Sequence, residues 1–298
     1  MGSVNDEKLV SVVMAAYNAG PYIEDAIESV LAQEYRNVEL LVVNDGSTDD
    51  TEKRVQKYLN NSKVKYFAQQ NLGQAKAKNK GIREAKGTYI AFLDADDKWT
   101  PDKLSQQIPC FDKSEKIGVV FTNFALMAED GTILGSTDRK FYSGNLTARL
   151  LIENVVTGMS SVVKRECFDK VGLFDESLPM GIDYDLWLRI SVHYEFFFLD
   201  KVLYLYRQWP GQMSHKHRDR YKNAIRIMQK FLDNNPGLLD KKVVNEAWAH
   251  TYVGIGNAVF EKEQKRWEAL RNYLKAMGYN AVYWPAWKSI IKLILNRY

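Results

Sequence analysis

The sequence has few cysteines and no long hydrophobic run, and each shortage excludes a class of protein. Its two cysteines, Cys110 and Cys167, have no paired spacing, so they provide neither a disulfide framework nor a four-ligand zinc site. No window reaches the roughly 18 apolar residues of a membrane-spanning helix. The amino end also lacks the basic and apolar regions of a secretory signal. We therefore expect a protein that works in the cytoplasm.

Charge is unevenly distributed along the chain, although the net charge is only +4. Residues 201–298 contain 18 Lys and Arg against 7 Asp and Glu, a net +11, whereas the first 200 residues contain 23 against 30. Such asymmetry fits an anionic partner, such as nucleic acid, a phospholipid surface or a diphosphate-linked substrate. A solvated helical face rich in Lys and Arg explains it about as well.

The first hundred residues alternate between strand-like and helix-like segments. The segments LVSVVMAAY, VELLVVND, VKYFA and TYIAFLDAD read as strands, and the apolar residues of PYIEDAIESVLAQ fall on one helical stripe. Val, Ile and Leu at consecutive strand positions are typical of a parallel sheet with helices on both faces. The pattern becomes mixed after residue 100 and helical from about residue 215. We therefore expect an α/β fold with a C-terminal helical extension.

Polar side chains follow three of the predicted strands, at residues 15–18, 44–47 and 94–96. In open sheets of this kind, the ligand binds outside the carboxyl ends of the strands. These three clusters are therefore expected to meet at one edge of the sheet and to form the binding site.

The segment YIAFLDADDKW places Asp94, Asp96 and Asp97 directly after an apolar strand. Carboxylates packed this closely raise one another's pKa, so a cation is expected between them. Asp94 and Asp96 point the same way in an extended chain, and oxygen ligands select Mg²⁺, Mn²⁺ or Ca²⁺. No Walker-type or G-x-G-x-x-G loop occurs, which favours a metal that arrives with a diphosphate. The alternative is that these carboxylates cap a helix beginning near Pro101.

These segments occur in the order seen in family 2 glycosyltransferases, which the chain resembles over roughly residues 9–215. The segments that carry the resemblance are VSVVMAAYNAGPYIEDAIESVLAQ, ELLVVNDGSTDDT, NLGQAKAKNKGI, GTYIAFLDADD, GLFDESL and DYDLWLRI. The resemblance implies the GT-A fold, a Rossmann-like, mostly parallel sheet with helices on both faces. It also implies a nucleotide-diphosphate sugar donor, Mn²⁺ or Mg²⁺ as cofactor, and transfer of the sugar with inversion.

The same resemblance implies a division of the chain. Residues 1–214 would form the catalytic domain, with a nucleotide-sugar-binding half at about 8–100 and an acceptor half at 101–214. Residues 215–298 would form a C-terminal helical region outside the strongest resemblance.

Matching positions of the family imply roles for individual residues. Asp96 is implied as the metal ligand, Asp94 as a contact to ribose or to a metal-bound water and as a second metal ligand, and Asp97 as a less defined third acid. Nucleotide-sugar binding is implied for Ala15, Tyr17, Asn18, Asp45, Asn71, Gly73, Lys78, Asp94 and Arg207.

Inverting transfer needs a carboxylate that takes the proton of the acceptor hydroxyl. The segment MGIDYDLWLRI offers Asp183 and Asp185, and the resemblance implies Asp183, with Asp185 as the alternative. The sequence departs from the family's pattern at Ile182, where an acid is common. A structural reading of Asp183 is the N-terminal cap of the helix that follows.

A second departure lies in YRQWPGQMS, where Trp209 replaces a His that is common in the family. His215 or His217 is a candidate substitute as a metal ligand, although a His-x-His in a loop is more often simply exposed. Trp99 and Trp209 lie near the predicted site, where they would either line it or pack in the core.

We expect a UDP-sugar as donor and a sugar or lipid-linked saccharide as acceptor, in the synthesis of a cell-surface polysaccharide or glycoconjugate. The basic helices would then contact the anionic inner face of the membrane, with no nucleic acid involved. The sequence leaves the oligomeric state open. One alternative is a nucleotidyltransferase, but AAYNAGPY lacks the expected glycine-rich loop and reactive Lys. A non-catalytic carbohydrate-binding module would have no need for both Asp96 and Asp183.

Overall fold

Strands and helices alternate in the first part of the chain, as its sequence pattern predicts. The structure is a computed structural model that describes residues 7–137, 139–212 and 217–295. The alternation consists of β1 (Val10–Ala16), α1 (Ile23–Leu31), β2 (Val38–Asp45), α2 (Thr51–Gln56), β3 (Val64–Gln69), α3 (Gln74–Glu84) and β4 (Tyr89–Phe92). β1 pairs in parallel with β2 and β4, and β2 pairs in parallel with β3. The carboxyl ends of these four strands therefore meet at one edge.

Both faces of these strands are covered. Val13 and Ile90 belong to one buried cluster, whereas their neighbours Val12 and Ala91 belong to a second cluster on the opposite face. Successive side chains of a strand point to opposite faces, so a strand covered on both sides needs apolar residues at consecutive positions. Every residue of β2 is buried for this reason.

The second half of the chain extends the same sheet with shorter and partly antiparallel strands. Its elements are β5 (Lys98–Trp99), α4 (Lys103–Gln107), β6 (Ile117–Met127), β7 (Ile133–Ser136), α5 (Thr147–Ile152), β8 (Val162–Lys164), α6 (Arg165–Val171), α7 (Ile182–Ser191) and β9 (Glu195–Arg207). β8 lies between β4 and β6 and is antiparallel to both. The strand order is β3-β2-β1-β4-β8-β6-β9-β5, and β7 pairs with β6. The carboxyl end of β4 thus lies where the parallel half meets the mixed half.

Four helices follow the sheet, and the first two share a buried core with it, whereas the last two pack on the second helix and on each other. They are α8 (His217–Asn234), α9 (Lys241–Glu263), α10 (Arg266–Tyr279) and α11 (Trp284–Ile294). Met228 of α8 and Trp248 of α9 belong to the same buried cluster as Trp187 of α7, so the helical region shares a core with the sheet. The boundary predicted near residue 214 falls at residues 213–216, which lie outside the described ranges. No helix within those ranges is long and apolar enough to cross a membrane.

Candidate functional site

The loops after β1 and β2 are hydrogen bonded to each other. The backbone N–H of Asn18 donates to the hydroxyl of Ser47 at 2.9 Å, and the N–H of Thr48 donates to Oδ1 of Asn18 at 2.8 Å. Asn18 has a positive φ of 49°, a conformation that Asn adopts more readily than most residues. Tyr17 beside it is half exposed. The structure therefore brings two predicted nucleoside contacts to the rim of the sheet.

Asp45, at the end of β2, holds the loop that leads into α3. Its carboxylate accepts hydrogen bonds from Gln69 Nε2 at 2.7 Å and from the backbone N–H groups of Leu72 and Gly73 at 2.9 and 2.8 Å. The loop after β2 and the loop after β3 approach so closely that a Cβ at Gly46 would lie 2.6 Å from the backbone nitrogen of Asn71. Asp45 is thus buried and held by three hydrogen bonds at this edge of the sheet. Its contact with a nucleotide base stays a prediction.

Lys78 connects α3 to the acidic segment after β4. The ammonium group is buried, and its Nζ lies 3.0 Å from Oδ1 of Asp94 and 3.5 Å from the sulfur of Met159. The side chain of Asp94 is 40% exposed, so its carboxylate faces the open side of this contact. A buried ammonium group is favourable only next to a negative partner, so Lys78 and Asp94 form an ion pair that ties α3 to the acidic segment.

Asp96 lies deeper than Asp94, and its carboxylate has different surroundings. Burial, and then the negative charge of Asp94, raise the pKa of Asp96 above its ordinary value. The indole Nε1 of Trp209 donates a hydrogen bond to Oδ2 of Asp96 at 2.7 Å, which lowers that pKa in part. The sequence places Trp209 near the site, and the structure puts it in direct contact with Asp96, the predicted metal ligand.

Asp97 points into the protein. Its side chain is fully buried and accepts hydrogen bonds from the hydroxyl of Tyr204 and from the backbone N–H of Arg207, the latter at 2.8 Å. Burial, and then the charges of Asp96 and Asp94, raise the pKa of Asp97 well above its ordinary value. The third acid therefore anchors the acidic segment to β9.

Arg207 is a buried link between distant segments. Its guanidinium group donates to the backbone oxygens of Asp96 and Glu129 at 2.7 and 2.6 Å, and to the carboxylate of Asp25 at 2.8 Å. It also lies 5.0 Å from the ring centroid of Tyr22. With its side chain 2% exposed, Arg207 fixes the backbone that carries Asp96, and the predicted contact with phosphate stays a prediction.

The donor set at the end of β4 suits a hard cation. Asp94 and Asp96 offer carboxylate oxygens, and their mutual repulsion is what a divalent ion would relieve. The described ranges contain no group of three or more His, Cys, Asp or Glu that could hold a metal, and Asp94 and Asp96 stay the two predicted ligands. The capping alternative is wrong, because α4 begins at Lys103 and its N-cap residue is Asp102. The site fits Mn²⁺ or Mg²⁺ bound by two protein carboxylates together with a substrate.

Asp183 lies in the first turn of α7 and faces this region. Gly181 occupies the N-cap position, so the reading of Asp183 as the cap is wrong. Its Oδ2 lies 3.4 Å from Nδ2 of Asn154 and 3.2 Å from the position that a Cβ on Gly158 would occupy. The next residue, Met159, is the one whose sulfur contacts the Lys78 that binds Asp94. A short chain of contacts thus runs from Asp183 to the acidic segment.

Asp185 belongs to a different region, although it is only two residues away. Its carboxylate is buried and lies 2.7 Å from the guanidinium of Arg189 and 2.9 Å from the ammonium of Lys230 on α8. Lys230 also pairs with Asp175 at 2.7 Å. Asp185 therefore joins α7 to α8 through ion pairs, which leaves Asp183 as the carboxylate on the site side.

Of the other predicted site residues, the structure places Trp99 in the core and does not describe the side chains of the two histidines. Trp99 is buried with the Nζ of Lys103 4.2 Å from its ring centroid, so it packs in the core. His215 and the side chain of His217 lie outside what the structure describes. Asn154 has no signal in the sequence, because its contact with Asp183 joins positions 29 residues apart and leaves no local pattern.

The chain matches a known protein family and several of its members. The family model described as "Glycosyl transferase family 2" matches residues 11–172. The chain is 32% identical over 243 residues to "Uncharacterized glycosyltransferase RP339" of Rickettsia prowazekii, covering 80% of this chain and 74% of that protein. It is 38% identical over 162 residues to "Putative teichuronic acid biosynthesis glycosyltransferase TuaG" of Bacillus subtilis, covering 53% and 63%. The chain spans between 31% and 74% of the length of the five Rickettsia relatives that it matches.

Solved structures share the fold. The S. aureus TarS fragment 1–349 in complex with UDP-GlcNAc superposes with a TM-score of 0.70 at 18% identity, covering 91% of this chain and 81% of that one. The mannosyltransferase PcManGT from Pyrobaculum calidifontis, in complex with GDP-Man and Mn²⁺, gives 0.58 at 18% identity, covering 99% and 89%. The predicted GT-A fold with a C-terminal helical region is therefore confirmed.

Proposed function

This chain belongs to glycosyltransferase family 2, and we propose that it transfers a sugar with inversion from a nucleotide-diphosphate sugar to a hydroxyl acceptor, assisted by Mn²⁺ or Mg²⁺. The observation that carries the proposal is the position of Asp94 and Asp96 at the carboxyl end of β4, with Asp183 linked to them through Gly158 and Met159. A cation site and a base of this kind are what the reaction requires.

The acidic segment would hold the cation. Asp96 and Asp94 would bind it through their oxygens, while Trp209 and Lys78 keep the two carboxylates oriented. When bound, such a cation neutralises the negative charge that develops on a departing diphosphate. Arg207 stabilises this arrangement, because its guanidinium group donates a hydrogen bond to the backbone oxygen of Asp96.

Asp183 would act as the general base. As the acceptor oxygen forms its bond to the anomeric carbon, the bond from that carbon to the diphosphate oxygen breaks and the nucleoside diphosphate leaves. The acceptor's hydroxyl proton passes to the carboxylate of Asp183. This role is supported by the short chain of contacts that runs from Asp183 to the acidic segment. The ion pairs that hold Asp185 toward α8 support it as well.

The nucleotide would bind along the loops after β1, β2 and β3. Residues proposed to contact it are Ala15, Tyr17, Asn18, Asp45, Asn71, Gly73, Lys78, Asp94 and Arg207. A UDP-sugar is the proposed donor, supported by the TarS complex with UDP-GlcNAc, although the PcManGT complex holds GDP-Man. TuaG's name supports a cell-surface polysaccharide or glycoconjugate as product. The proposed acceptor is a sugar or a lipid-linked saccharide, and a lipid-linked one would place the protein at the inner face of the membrane.

A donor screen tests this function. Thermal unfolding is measured with a panel of UDP- and GDP-sugars in Mn²⁺, because a ligand that binds only the folded protein raises its apparent stability. The stabilising donor is then used to follow release of nucleoside diphosphate. We expect release to need the metal, to stop in EDTA, and to be lost in Asp96→Asn but not in Asp200→Asn, which changes an exposed carboxylate on β9.

Two other outcomes would contradict the proposal. Release of pyrophosphate in place of a nucleoside diphosphate would indicate a nucleotidyltransferase. Binding of sugars without any turnover, and without dependence on Asp96, would indicate a carbohydrate-binding module.

A further inference from the structure

We propose that the exposed face of α11 is a membrane-binding surface that inserts into the interface of an anionic phospholipid bilayer. The proposal deepens the peripheral membrane contact of the proposed function and rests on it. Five apolar side chains of this helix and its C-cap are exposed, at 42–72% of their full area. They are Trp284, Trp287, Ile291, Ile294 and Leu295.

These side chains form one continuous strip. At 3.6 residues per turn, the five positions fall within an arc of roughly 100°. The opposite side of α11 holds Ala286, Ser289 and Leu293, which are buried against α9 and α10. The helix is thus fixed by one face and presents a second apolar face outward, which is unusual for a helix that serves only to cover a core.

Trp267 of α10 is a further exposed tryptophan near the end of α11. It is 80% exposed, and the neighbouring Arg266 donates a hydrogen bond to the backbone oxygen of Leu293 at 2.5 Å. The start of α10 therefore lies against the end of α11. Exposed tryptophans at the edge of an apolar strip are characteristic of helices that lie in the plane of a membrane interface.

The charge around the strip fits an anionic surface. α11 has no acidic residue, and Lys288 borders the apolar arc. Across α10 and α11 there are five basic residues and one acidic residue, Glu268. A Lys beside an apolar strip can extend its ammonium group to lipid phosphates while its alkyl chain stays in the apolar layer.

A second copy of the chain fits this face less well. A two-fold interface places the same patch against itself, so two identical sets of cations, Lys288 among them, would be brought close together. Like charges repel in that arrangement, whereas anionic lipid headgroups attract them.

Vesicle binding tests the proposal without any sugar donor. The full chain is sedimented with phosphatidylcholine vesicles and with vesicles that also contain phosphatidylglycerol. We expect binding to the anionic vesicles, weakened by salt, and a blue shift of tryptophan fluorescence. Trp284→Ser/Ile294→Ser should weaken binding about tenfold, because it removes two of the most exposed apolar side chains. Lys288→Glu should weaken it about fivefold.

The matched control is Leu59→Ser/Leu238→Ser, which changes two exposed apolar residues elsewhere in the chain and should bind like the unmodified protein. Circular dichroism checks that each variant is folded. Absence of binding to anionic vesicles, or equal binding by Trp284→Ser/Ile294→Ser, would overturn the proposal. A dimer in light scattering that this variant converts to a monomer would instead make the face an interface between copies. Donor turnover in solution is measured separately, so failure here leaves the proposed chemistry intact.

Discussion

Two groups of carboxylates in this protein have opposite surroundings. At the carboxyl end of β4, Asp96 and Asp97 lie close to Asp94, and burial together with this repulsion raises the pKa of both. Between α7 and α8, Lys230 lies 2.7 Å from Asp175 and 2.9 Å from Asp185. Within the described residues, the first group has one paired cation, Lys78 at Asp94, for three carboxylates, whereas both carboxylates of the second group are paired with cations.

The difference separates function from stability. Repulsion among buried carboxylates costs folding free energy, so it persists where something outside the chain, such as a cation, supplies the balance. A group of carboxylates that the chain's own cations balance in full, such as Asp175 and Asp185, can serve to join elements. α7 contributes to both regions, because Asp183 faces the site and Asp185 faces α8. Substitutions at these two positions therefore test the comparison within one helix.

The largest effect is expected for Asp183→Asn. Loss of a general base lowers the rate by about 10² to 10⁴. Stability should change little, because Asp183 has one long hydrogen bond, at 3.4 Å, which the amide can also accept. The measurements are kcat for nucleoside diphosphate release and donor binding, which should be unchanged. Near-normal turnover in the folded variant would remove Asp183 from the role of base.

Asp185→Asn is expected to show the reverse behaviour. It leaves Arg189 and Lys230 without their shared carboxylate, which costs about 1.5–3 kcal/mol of unfolding free energy, as for hydrogen bonds to charged groups. Urea unfolding measures this loss, and Asp183→Asn is the matched control in the same helix. Turnover per folded molecule should stay near that of the unmodified protein. If turnover falls as far as in Asp183→Asn, the separation of the two faces of α7 is wrong.

The sequence alone predicted one side of this comparison better than the other. Consecutive Val and Leu in β2 and the single stripe of α1 are local signals, so the parallel half of the sheet and the acidic segment after β4 could be read directly. Asp185 and Lys230, which form an ion pair, are 45 residues apart in the sequence, and Trp209 and Asp96, which are hydrogen bonded, are 113 residues apart. Contacts at such separations depend on how the elements pack, and no local pattern indicates them.

Trp209→Phe tests whether the long contact to Asp96 matters for the metal. The indole N–H fixes one carboxylate oxygen, and loss of a group that orients a ligand weakens metal binding by about tenfold. Calorimetric titration with Mn²⁺ measures this without any turnover. Trp287→Phe, at an exposed position on α11, is the matched control. Tighter binding in Trp209→Phe would show that the indole competes with the cation.

The smallest effect is expected in acid, at the neutralised carboxylates. Burial acts to raise the pKa of Asp175, but hydrogen bonds from Lys230 and Ser177 outweigh it and lower the pKa to about 2. Because the folded pKa lies below the unfolded value of 3.8, this carboxylate stabilises the fold above pH 3.8, and the contribution is lost as the pH falls toward 2. Lys230 is 38% exposed, so screening limits the contribution to about 1 kcal/mol or less.

The matched variant is Asp175→Asn, which keeps an oxygen for the backbone N–H of Ser177 and removes the charge. Urea unfolding of both proteins is compared at pH 5 and at pH 2.5. The two proteins should differ at pH 5 and converge as the pH falls, because protonation removes from the unmodified protein what the substitution has already removed. A difference that stays constant from pH 5 to pH 2.5 would show that Asp175 acts through packing and not through its charge. The contrast with the acidic segment after β4 would then be lost.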